Sequence, residues 1–189
     1  MKTFDKILRW WRVQKALTAS PKKIHAVFDI GCDDGYLLRK FAGGAIRLDG
    51  CDPRLSIAPL SANSTLLKGY FPSILDGHAA TTKYDAIFAI AVFEHLTETD
   101  LKASASVISG LLSDKGRLII TVPHPFVDHI LAILMSLRIV EAKTLDEHHG
   151  FDPNTLVDVL SSHLKLVERR RFQLGLNNLF VFEKNRTSA

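Results

Sequence analysis

The stretch Val27–Phe41, VFDIGCDDGYLLRKF, decides the fold, because it joins a strand, a glycine turn and the start of a helix. The strand, HAVFDI at residues 25–30, is short and apolar and ends at Gly31. GYLLRKFA at residues 35–42 is predicted to continue as a helix. A strand that passes through a glycine turn into a helix is typical of the first unit of an open α/β sheet that binds a nucleotide.

The turn in this stretch differs from a phosphate-binding loop. A dinucleotide loop carries its glycines as GxGxxG, and the helix that follows receives the pyrophosphate at its N-terminus. Here Gly31 and Gly35 flank the turn, and Asp33 and Asp34 lie between them. Two carboxylates at a helix N-terminus repel a diphosphate and accept a ligand with positive charge. The turn therefore disfavours NAD and favours a cationic nucleoside.

Strands and helices alternate along the rest of the chain. Strands are predicted at residues 25–30, 45–52, 65–71, 84–92, 113–123 (after an initial turn), 164–174 and 177–184, and helices at 4–17, 35–42, 98–112, 126–137 and 153–163. This order predicts an α/β fold: a doubly wound, mostly parallel seven-stranded sheet in a Rossmann-like, three-layer αβα arrangement. The last two strands, separated by Gly175 and an Asn pair, are predicted to form an antiparallel hairpin. Asn154 or Thr155 is the expected N-cap of the last helix.

Length and composition favour one domain. The chain has 189 residues, 47% hydrophobic and 23% charged, so residues 1–189 are predicted to share one core. Residues 1–23 are predicted to form an amphipathic cap helix and a linker, and the apolar face of the helix comprises Phe4, Ile7, Leu8, Trp11 and Leu17. The segment also carries seven basic residues, Lys2, Lys6, Arg9, Arg12, Lys15, Lys22 and Lys23. They form either a solvated helix face or a patch that attracts nucleic acid, an anionic lipid surface or an anionic substrate.

No targeting or membrane-spanning segment is expected. No unbroken apolar stretch follows the first charges, and the run Phe126–Val140 is interrupted and shorter than the roughly 20 residues of a membrane helix. Cys32 and Cys51 fit neither a CxxC motif nor a secreted scaffold, so both thiols are predicted to be reduced. We therefore expect a cytoplasmic protein.

Acidic residues stand at the carboxyl ends of the first two predicted strands, where open α/β sheets bind their ligands. Asp29 is the last polar residue of the first strand, and Asp52 ends the second strand about 20 residues beyond Gly31. A carboxylate accepts two hydrogen bonds from a cis-diol, so Asp52 is predicted to bind ribose hydroxyls.

Four motifs in order resemble the class I S-adenosylmethionine-dependent methyltransferases of the small-molecule type. DIGCDDG at 29–35 resembles the first motif of that family, D-x-G-x-G-x-G, with Asp33 at the middle glycine, and GCDP at 50–53 resembles the second motif. YDAIFAIAVFEHL at 84–96 resembles the segment of the fourth strand, and LLSDKGRLIITVPHP at 111–125 resembles the segment before and along the fifth strand. The resemblance extends from about His25 to Lys184.

The resemblance implies S-adenosylmethionine as the cofactor. The cofactor-binding residues that it implies are Asp29, Gly31, Cys32, Gly35, Asp52, Pro53, Tyr70, Phe71, Ala91 and Val92. Those of the first motif would shape the methionine end, and Ala91 and Val92 would lie near the transferred methyl group. Arg54 would lie beside the adenine with Pro53. Tyr70 or Phe71 takes the place where the family commonly has an acidic residue near the adenine amine.

Histidines are the candidate catalytic and substrate residues. His95, which follows the fourth strand, and His124, which follows the fifth, are candidate general bases, because histidine titrates near neutral pH. A helix-start role for His95 and a loop-packing role for His124 are the alternatives. His148 and His149 are candidate substrate residues on the loop before the last helix. No metal site is predicted, because the histidines and acids near the fifth strand lack a recognised ligand spacing.

The acceptor is expected to be a small molecule. The fourth strand lacks the Asn/Asp-Pro-Pro-aromatic tetrad of enzymes that methylate exocyclic base nitrogens, so no nucleic acid is expected. The apolar segments 126–137 and 7–11 would suit an apolar or lipid-linked acceptor, or peripheral contact with a membrane; core packing is their alternative role. Two other functions stay open: methylation of nucleic acid or protein through the basic N-terminus, and cofactor binding without catalysis. The sequence does not indicate an oligomeric state.

Overall fold

The computed structural model describes residues 3–43, 47–76, 82–124 and 152–185, with side chains from Lys6 onward. In chain order these residues form α1 (Thr3–Thr18), β1 (Ala26–Ile30), β2 (Arg47–Cys51), β3 (Leu66–Leu67), β4 (Tyr84–Ile90), α2 (Glu98–Leu111), β5 (Leu112–Pro123), α3 (Pro153–Leu160), β6 (Leu164–Phe172) and β7 (Asn177–Lys184). Single turns of 3₁₀ helix lie at Leu38–Phe41, Ser73–Leu75 and Phe93–His95.

The strands form one seven-stranded sheet in the order β3-β2-β1-β4-β5-β7-β6. Strands β1 to β5 pair in parallel, whereas β7 runs antiparallel to both β5 and β6. The chain builds outward from β1 through β2 to β3, and then crosses to β4 on the other side of β1. The predicted doubly wound, mostly parallel sheet with a C-terminal hairpin is confirmed.

The two faces of the sheet carry different helices, because neighbouring side chains on a strand point to opposite faces. Phe28, Ile87 and Ile120 pack with α2 and α3 in one buried cluster. Val27, Phe88 and Ile119 pack with α1 in a second buried cluster on the opposite face. The three-layer αβα arrangement is therefore confirmed.

Helix α1 packs on the sheet through a face different from the one that its apolar pattern suggests. Val13 and Ala16 are buried, whereas Ile7, Trp10 and Trp11 are 53%, 51% and 37% exposed. Small side chains at the contact let the helix lie close to the strands, and the bulky side chains are left outside.

Two long-range hydrogen bonds attach α1 to the sheet, one within its N-terminal half and one at the residue that follows the helix. Gln173 Nε2, in the turn between β6 and β7, donates to the carbonyl of Leu8 over 3.0 Å. Arg117 Nη1 on β5 donates to the carbonyl of Ala19 over 3.3 Å. The first helix is thus attached to the C-terminal half of the sheet.

The helix predicted at residues 35–42 is wrong, since only the 3₁₀ turn Leu38–Phe41 forms there. Asp33 and Gly35 have φ angles of +43° and +70°, and Gly43 has a φ of +120°. An α-helix needs an uninterrupted right-handed run to propagate, and these left-handed residues leave too few positions between them. The loop is therefore built from turns, and its carboxylates do not stand at the N-terminus of an α-helix.

Other boundaries also differ from the predictions. The third strand is limited to Leu66–Leu67. The turn expected at 113–116 lies inside β5, as an irregularity between the pairs Tyr84–Leu112 and Ala86–Arg117.

The end of the chain differs from the predictions in two details. The side chain of Asp152, not of Asn154 or Thr155, caps α3 by accepting from the Asn154 amide over 2.8 Å. The hairpin turn occupies 173–176, and the Asn pair belongs to β7. The helix predicted at 126–137 lies outside the described residues.

Candidate active site

A cavity of about 650 Å³ opens beyond the carboxyl ends of β1, β2, β3 and β4. The strand order reverses between β1 and β4, and open α/β sheets form their ligand crevices at such a reversal. The residues around the cavity are Arg9, Arg12, Val13, Asp29, Ile30, Gly31, Cys32, Asp33, Leu37, Cys51, Asp52, Pro53, Arg54, Gly69, Tyr70, Phe71, Ile90, Ala91, Val92, His95 and Leu96. They include nine of the ten cofactor-binding residues predicted from the sequence; Gly35 is the exception.

The first wall of the cavity is the β1 loop, residues 31–37. The amides of Gly31 and Cys32 both donate to the carbonyl of Cys51, over 2.8 and 3.1 Å, which ties the loop to the end of β2. Gly31 has a φ of +79°, and a Cβ there would lie 2.4 Å from Cγ2 of Val92. Glycine is thus required at this position for the loops after β1 and β4 to pack together.

Gly35 serves a different contact in the same loop. A Cβ at Gly35 would lie 2.5 Å from Cδ1 of Ile57, and the residue is not part of the cavity lining. Its amide donates to the carbonyl of Cys32 over 2.6 Å and closes a tight turn. Gly35 therefore lies on the side of the loop away from the cavity, where it packs closely against Ile57 in the segment that follows β2.

Asp52 places a fixed carboxylate in the cavity. Its side chain is 4% exposed, and its Oδ1 accepts from the amide of Arg54 over 2.6 Å. Its Oδ2 accepts from the amide of Asp33 over 3.1 Å. A carboxylate has about four acceptor positions, so each oxygen keeps capacity for a further donor. The two hydrogen bonds from backbone amides orient the carboxylate and leave acceptor positions free on both oxygens.

Asp29 is a buried acid with an unusual protonation state. Its pKa is raised from 3.8 to about 8, mainly by burial; the charge of Arg9 opposes the rise, and the neighbouring carboxylates of Asp52 and Asp34 add to it. The side chain is therefore largely neutral at pH 7 and can donate a hydrogen bond as well as accept one.

Helix α1 contributes two arginines to the cavity, Arg9 and Arg12. Arg9 Nη1 donates to Oδ2 of Asp34 over 3.0 Å, and Nη2 pairs with Oδ1 of the same carboxylate. The hydrogen bond from Arg9 lowers the pKa of Asp34. Asp34 is engaged by Arg9 and does not line the cavity, whereas Asp33 does. Arg9 and Arg12 are both partly buried beside the cavity.

The segments after β3 and β4 complete the walls. Phe71 is 5% exposed and packs on Phe28 with ring centres 6.4 Å apart, whereas Tyr70 is 71% exposed at the rim. Ala91 has a φ of +56°, and its amide donates to the carbonyl of Thr121 over 2.8 Å. An alanine held in the left-handed region is uncommon, and it turns the chain sharply out of β4 into the cavity wall.

His95 and its neighbour Glu94 lie in the 3₁₀ turn after β4. His95 lines the cavity, as expected for a residue that reaches a substrate. Burial raises the pKa of Glu94 from 4.5 to about 7, and its buried Oε2 accepts no hydrogen bond within the described part of the chain. Glu94 is a candidate that the sequence did not single out.

The remaining histidine predictions fall elsewhere. His124 follows β5, is half-buried and donates its amide to the carbonyl of Leu176 over 2.8 Å; it is not part of the cavity lining. His148 and His149 lie outside the described residues.

In residues 3–43, 47–76, 82–124 and 152–185, no three His, Cys, Asp or Glu side chains are grouped to hold a metal ion. Within the same ranges, no helix has the length and apolar character to cross a membrane.

Comparison with solved structures identifies the architecture. N-methyltransferase NodS from Bradyrhizobium japonicum is similar at a TM-score of 0.59 and 15% identity, covering 96% of each chain. A TehB-like SAM-dependent methyltransferase from Corynebacterium glutamicum matches at a TM-score of 0.62 and 15% identity, over 96% of this chain and 97% of that one. The glycopeptide N-methyltransferase MtfA complexed with S-adenosyl-L-methionine matches at 0.64 and 11% identity, over 91% and 92%. The chain has the fold of the S-adenosylmethionine-dependent methyltransferases. No protein-family model and no curated protein matches the sequence.

Within this methyltransferase fold, the two cysteines act as buried packing groups. Both Cys32 and Cys51 line the cavity as free thiols. Burial raises the pKa of Cys51 to about 12 and raises that of Cys32 as well. Neither thiol is ionised near neutral pH, so neither is activated as a nucleophile.

The methyltransferase fold also explains which cavity residues the sequence did not reveal. Arg9, Arg12 and Val13 lie on α1, far from the motifs in the chain, and reach the cavity because α1 packs across the β1 loop. Their spacing of three and four residues places them on one helix face with Ala16. This spacing could have indicated a face of α1 that contacts the rest of the fold. The larger apolar side chains on the other face favoured that other face as the buried one.

Proposed function

We propose that the protein is an S-adenosylmethionine-dependent methyltransferase that transfers a methyl group to a small-molecule acceptor by in-line displacement. The observation that carries the proposal is the carboxylate of Asp52, which two backbone amides hold inside the cavity at the switch point of the sheet. NodS and MtfA, two of the similar proteins, are N-methyltransferases, and the MtfA structure holds S-adenosyl-L-methionine. These similarities support the reaction class and leave the acceptor atom open.

The residues present fit the cofactor. A cavity of about 650 Å³ falls in the usual range for small-molecule sites, roughly 300–1,000 Å³. Asp52 keeps acceptor capacity on both oxygens, which matches two ribose hydroxyls. Phe71, Pro53 and Tyr70 offer a largely apolar wall for an adenine. Asp52 would thus hold the ribose, and the β1 loop with Asp29 would contact the methionine part.

The chemistry divides between the cofactor and the chain. When bound, the sulfonium supplies an activated methyl group. The chain has to orient the acceptor in line with that group and to exclude water. Ala91 and Val92 form the wall at the end of β4 where the acceptor would enter. His95, beside them in the cavity lining, is the proposed general base for an acceptor that must lose a proton.

The cavity favours a small acceptor over a macromolecule. Two of the basic residues counted in the N-terminal patch, Arg9 and Arg12, line the cavity instead of the outer surface. Arg9 is also paired with Asp34. The basic surface available to nucleic acid is smaller than the sequence suggests. The two buried free thiols are consistent with a reducing compartment, and we place the activity in the cytoplasm.

The test has two stages. Calorimetry with S-adenosylhomocysteine measures cofactor binding, and S-adenosylmethionine with a labelled methyl group, incubated with a metabolite extract, reports transfer by mass spectrometry. Binding together with a labelled small molecule is the expected result. Absence of binding at high micromolar concentration would overturn the proposal. Binding without transfer would favour a non-catalytic protein, and label in nucleic acid or protein would favour the macromolecular alternative.

A further inference from the structure

The outward face of α1 carries an apolar stripe, defined here as Ile7, Trp10 and Trp11 and called the outer stripe. These side chains are 53%, 51% and 37% exposed. Six large hydrophobic side chains are exposed in the described chain, and three of them lie on this one helix. Exposed apolar residues are ordinary when scattered, but a cluster of this kind marks an interaction site.

The outer stripe has no place to bury within the fold. The opposite face of α1 already packs on the sheet through Val13 and Ala16, and Arg9 holds the helix to Asp34. Turning the stripe inward would break both sets of contacts. The stripe is therefore satisfied only by something outside the described part of the chain.

Lysines border the outer stripe on both sides. At about 100° per residue, the arc from Trp10 through Ile7 to Trp11 lies between Lys6 on one side and Lys15 on the other. Both lysines are exposed. Tryptophan side chains between lysines are typical of helices that lie in the interface of a bilayer, with the rings at the level of the acyl boundary and the ammonium groups at anionic headgroups.

A further apolar side chain comes from the hairpin turn. Gln173 donates from Nε2 to the carbonyl of Leu8, which fixes the turn beside the N-terminal half of α1. The next residue, Leu174, is 96% exposed with a φ of +57°. The turn that is attached to α1 thus also exposes an aliphatic side chain.

We propose that the outer stripe, with Lys6 and Lys15, docks the protein on the surface of an anionic lipid bilayer. The positive charge beside the outer stripe favours an anionic bilayer over the other possible partners. A second copy of the chain would place lysines against lysines along both borders, and the chain as a whole carries a net charge of +4. Nucleic acid would pair with the lysines but would leave the tryptophan and isoleucine side chains in water. An anionic bilayer satisfies the lysines and the apolar side chains together.

Docking in this way brings the cavity to the lipid surface. The inner side of the same helix carries Arg9, Arg12 and Val13, which line the cavity. Helix α1 then lies between the bilayer and the cavity.

The experiment uses the full chain and two kinds of vesicle, phosphatidylcholine alone and phosphatidylcholine mixed with phosphatidylglycerol. Trp10 and Trp11 are the only tryptophans in the chain, so a blue shift of tryptophan emission reports the outer stripe directly. We expect flotation with the mixed vesicles and the blue shift, both weakened at high salt. Little binding is expected with phosphatidylcholine alone.

Variants locate the contact. The double variant Ile7→Ser/Trp10→Ala should bind mixed vesicles at least about tenfold more weakly in flotation, because it removes the largest inserted area. Lys6→Glu/Lys15→Glu should abolish the preference for anionic lipid. Val167→Ser is the matched control, since it removes an exposed apolar side chain, 41% exposed, from strand β6, and its binding should not change. Circular dichroism shows that each variant is folded.

Several outcomes would overturn this proposal. They are absence of binding to mixed vesicles, equal loss in the Val167→Ser control, and concentration-dependent dimers that disappear in Ile7→Ser/Trp10→Ala. Retention of RNA in place of vesicles would do the same. All of these measurements are made without cofactor or acceptor. A failure of the proposed methyl transfer therefore leaves the vesicle result standing, and the converse also holds.

Discussion

Arg9 on α1 and Asp34 in the β1 loop form a two-point ion pair, with Nη1 donating to Oδ2 over 3.0 Å and Nη2 paired with Oδ1. The guanidinium carbon of Arg9 also lies 4.8 Å from the centre of the Tyr36 ring. These contacts fasten the first helix across the loop that forms one wall of the cavity. The side chains are 24% and 51% exposed, so the pair remains in contact with solvent.

A double-mutant cycle with Arg9→Gln and Asp34→Asn should give a coupling free energy below about 1 kcal/mol, because exposed ion pairs are screened by water. The coupling should shrink at high salt. Urea unfolding of the four proteins measures it. The exposed pair Glu98–Lys102 on α2 is the comparison, and its coupling should be smaller because it is a single-point contact. A coupling well above about 1 kcal/mol, or one that does not change with salt, would contradict this expectation.

Asp52→Asn should weaken binding of S-adenosylhomocysteine by about 1–3 kcal/mol, through lost hydrogen bonds to buried acceptors. Asp49→Asn, on the strand β2 that leads to Asp52, is the matched control. The Asp49 carboxylate accepts from Tyr84 Oη and Arg47 Nε, both over 2.6 Å, and does not line the cavity. The control should destabilise the fold and leave affinity unchanged in the folded protein. Calorimetry that finds full affinity in Asp52→Asn would remove Asp52 from the site.

Gly31→Ala should destabilise the protein by about 1 kcal/mol or more, since alanine is strained at positive φ and its Cβ would meet Val92. Gly110→Ala on α2 should act in the opposite direction, by about 0.5–1 kcal/mol, because a Cβ there meets nothing within 4 Å and alanine favours a helix. Thermal and urea unfolding measure both. A neutral Gly31→Ala would show that the loops after β1 and β4 are not tightly packed.

Stability should fall as the pH rises from about 4 to about 8, because two buried acids have raised pKa values. Burial raises the pKa of Asp29 from 3.8 to about 8 and that of Glu94 from 4.5 to about 7. A raised pKa means that the folded state keeps a proton that the unfolded state has released. The contribution is complete below the ordinary pKa and is lost as the pH passes the raised one.

Urea unfolding across this pH range measures the dependence. Asp29→Asn and Glu94→Gln should each flatten it, since an amide resembles the neutral acid and does not titrate. Asp114→Asn is the control, because Asp114 is exposed. If both buried variants kept the slope of the unmodified protein, the titrating groups would lie elsewhere.

The sheet could be predicted from the sequence because its central strands are short, apolar and bounded by glycine, proline or charge. The residues at the strand ends followed from the sheet, since parallel strands bring their carboxyl ends to one edge. For that reason Asp29 and Asp52 could be predicted to lie near one another, whereas Ala91 and Val92 were implied only by the resemblance to the methyltransferases. The absence of an α-helix after Gly35 could not be predicted, because the residue type at position 33 does not by itself show that its backbone has a positive φ.

The packing of α1 was beyond sequence analysis for a different reason. Apolar periodicity identifies a helix, but it assumes that the largest apolar face is the buried one. Here Val13 and Ala16 make the contact, and Arg9 turns toward a cavity that can solvate a charge. Glu94 was overlooked on similar grounds, since its burial depends on neighbours that are distant in the chain.

The contacts of α1 set an order for assembly of the fold during synthesis. Its partners arrive at widening intervals: Asp34 is 25 positions after Arg9, Arg117 is 98 after Ala19, and Gln173 is 165 after Leu8. Helix α1 precedes every strand of the sheet in the chain, yet its contacts are among the last to be completed. Until the β6–β7 hairpin has been synthesised, α1 and its two tryptophans lack the contact with Gln173. The wall of the cavity that α1 contributes is not yet fixed at that stage.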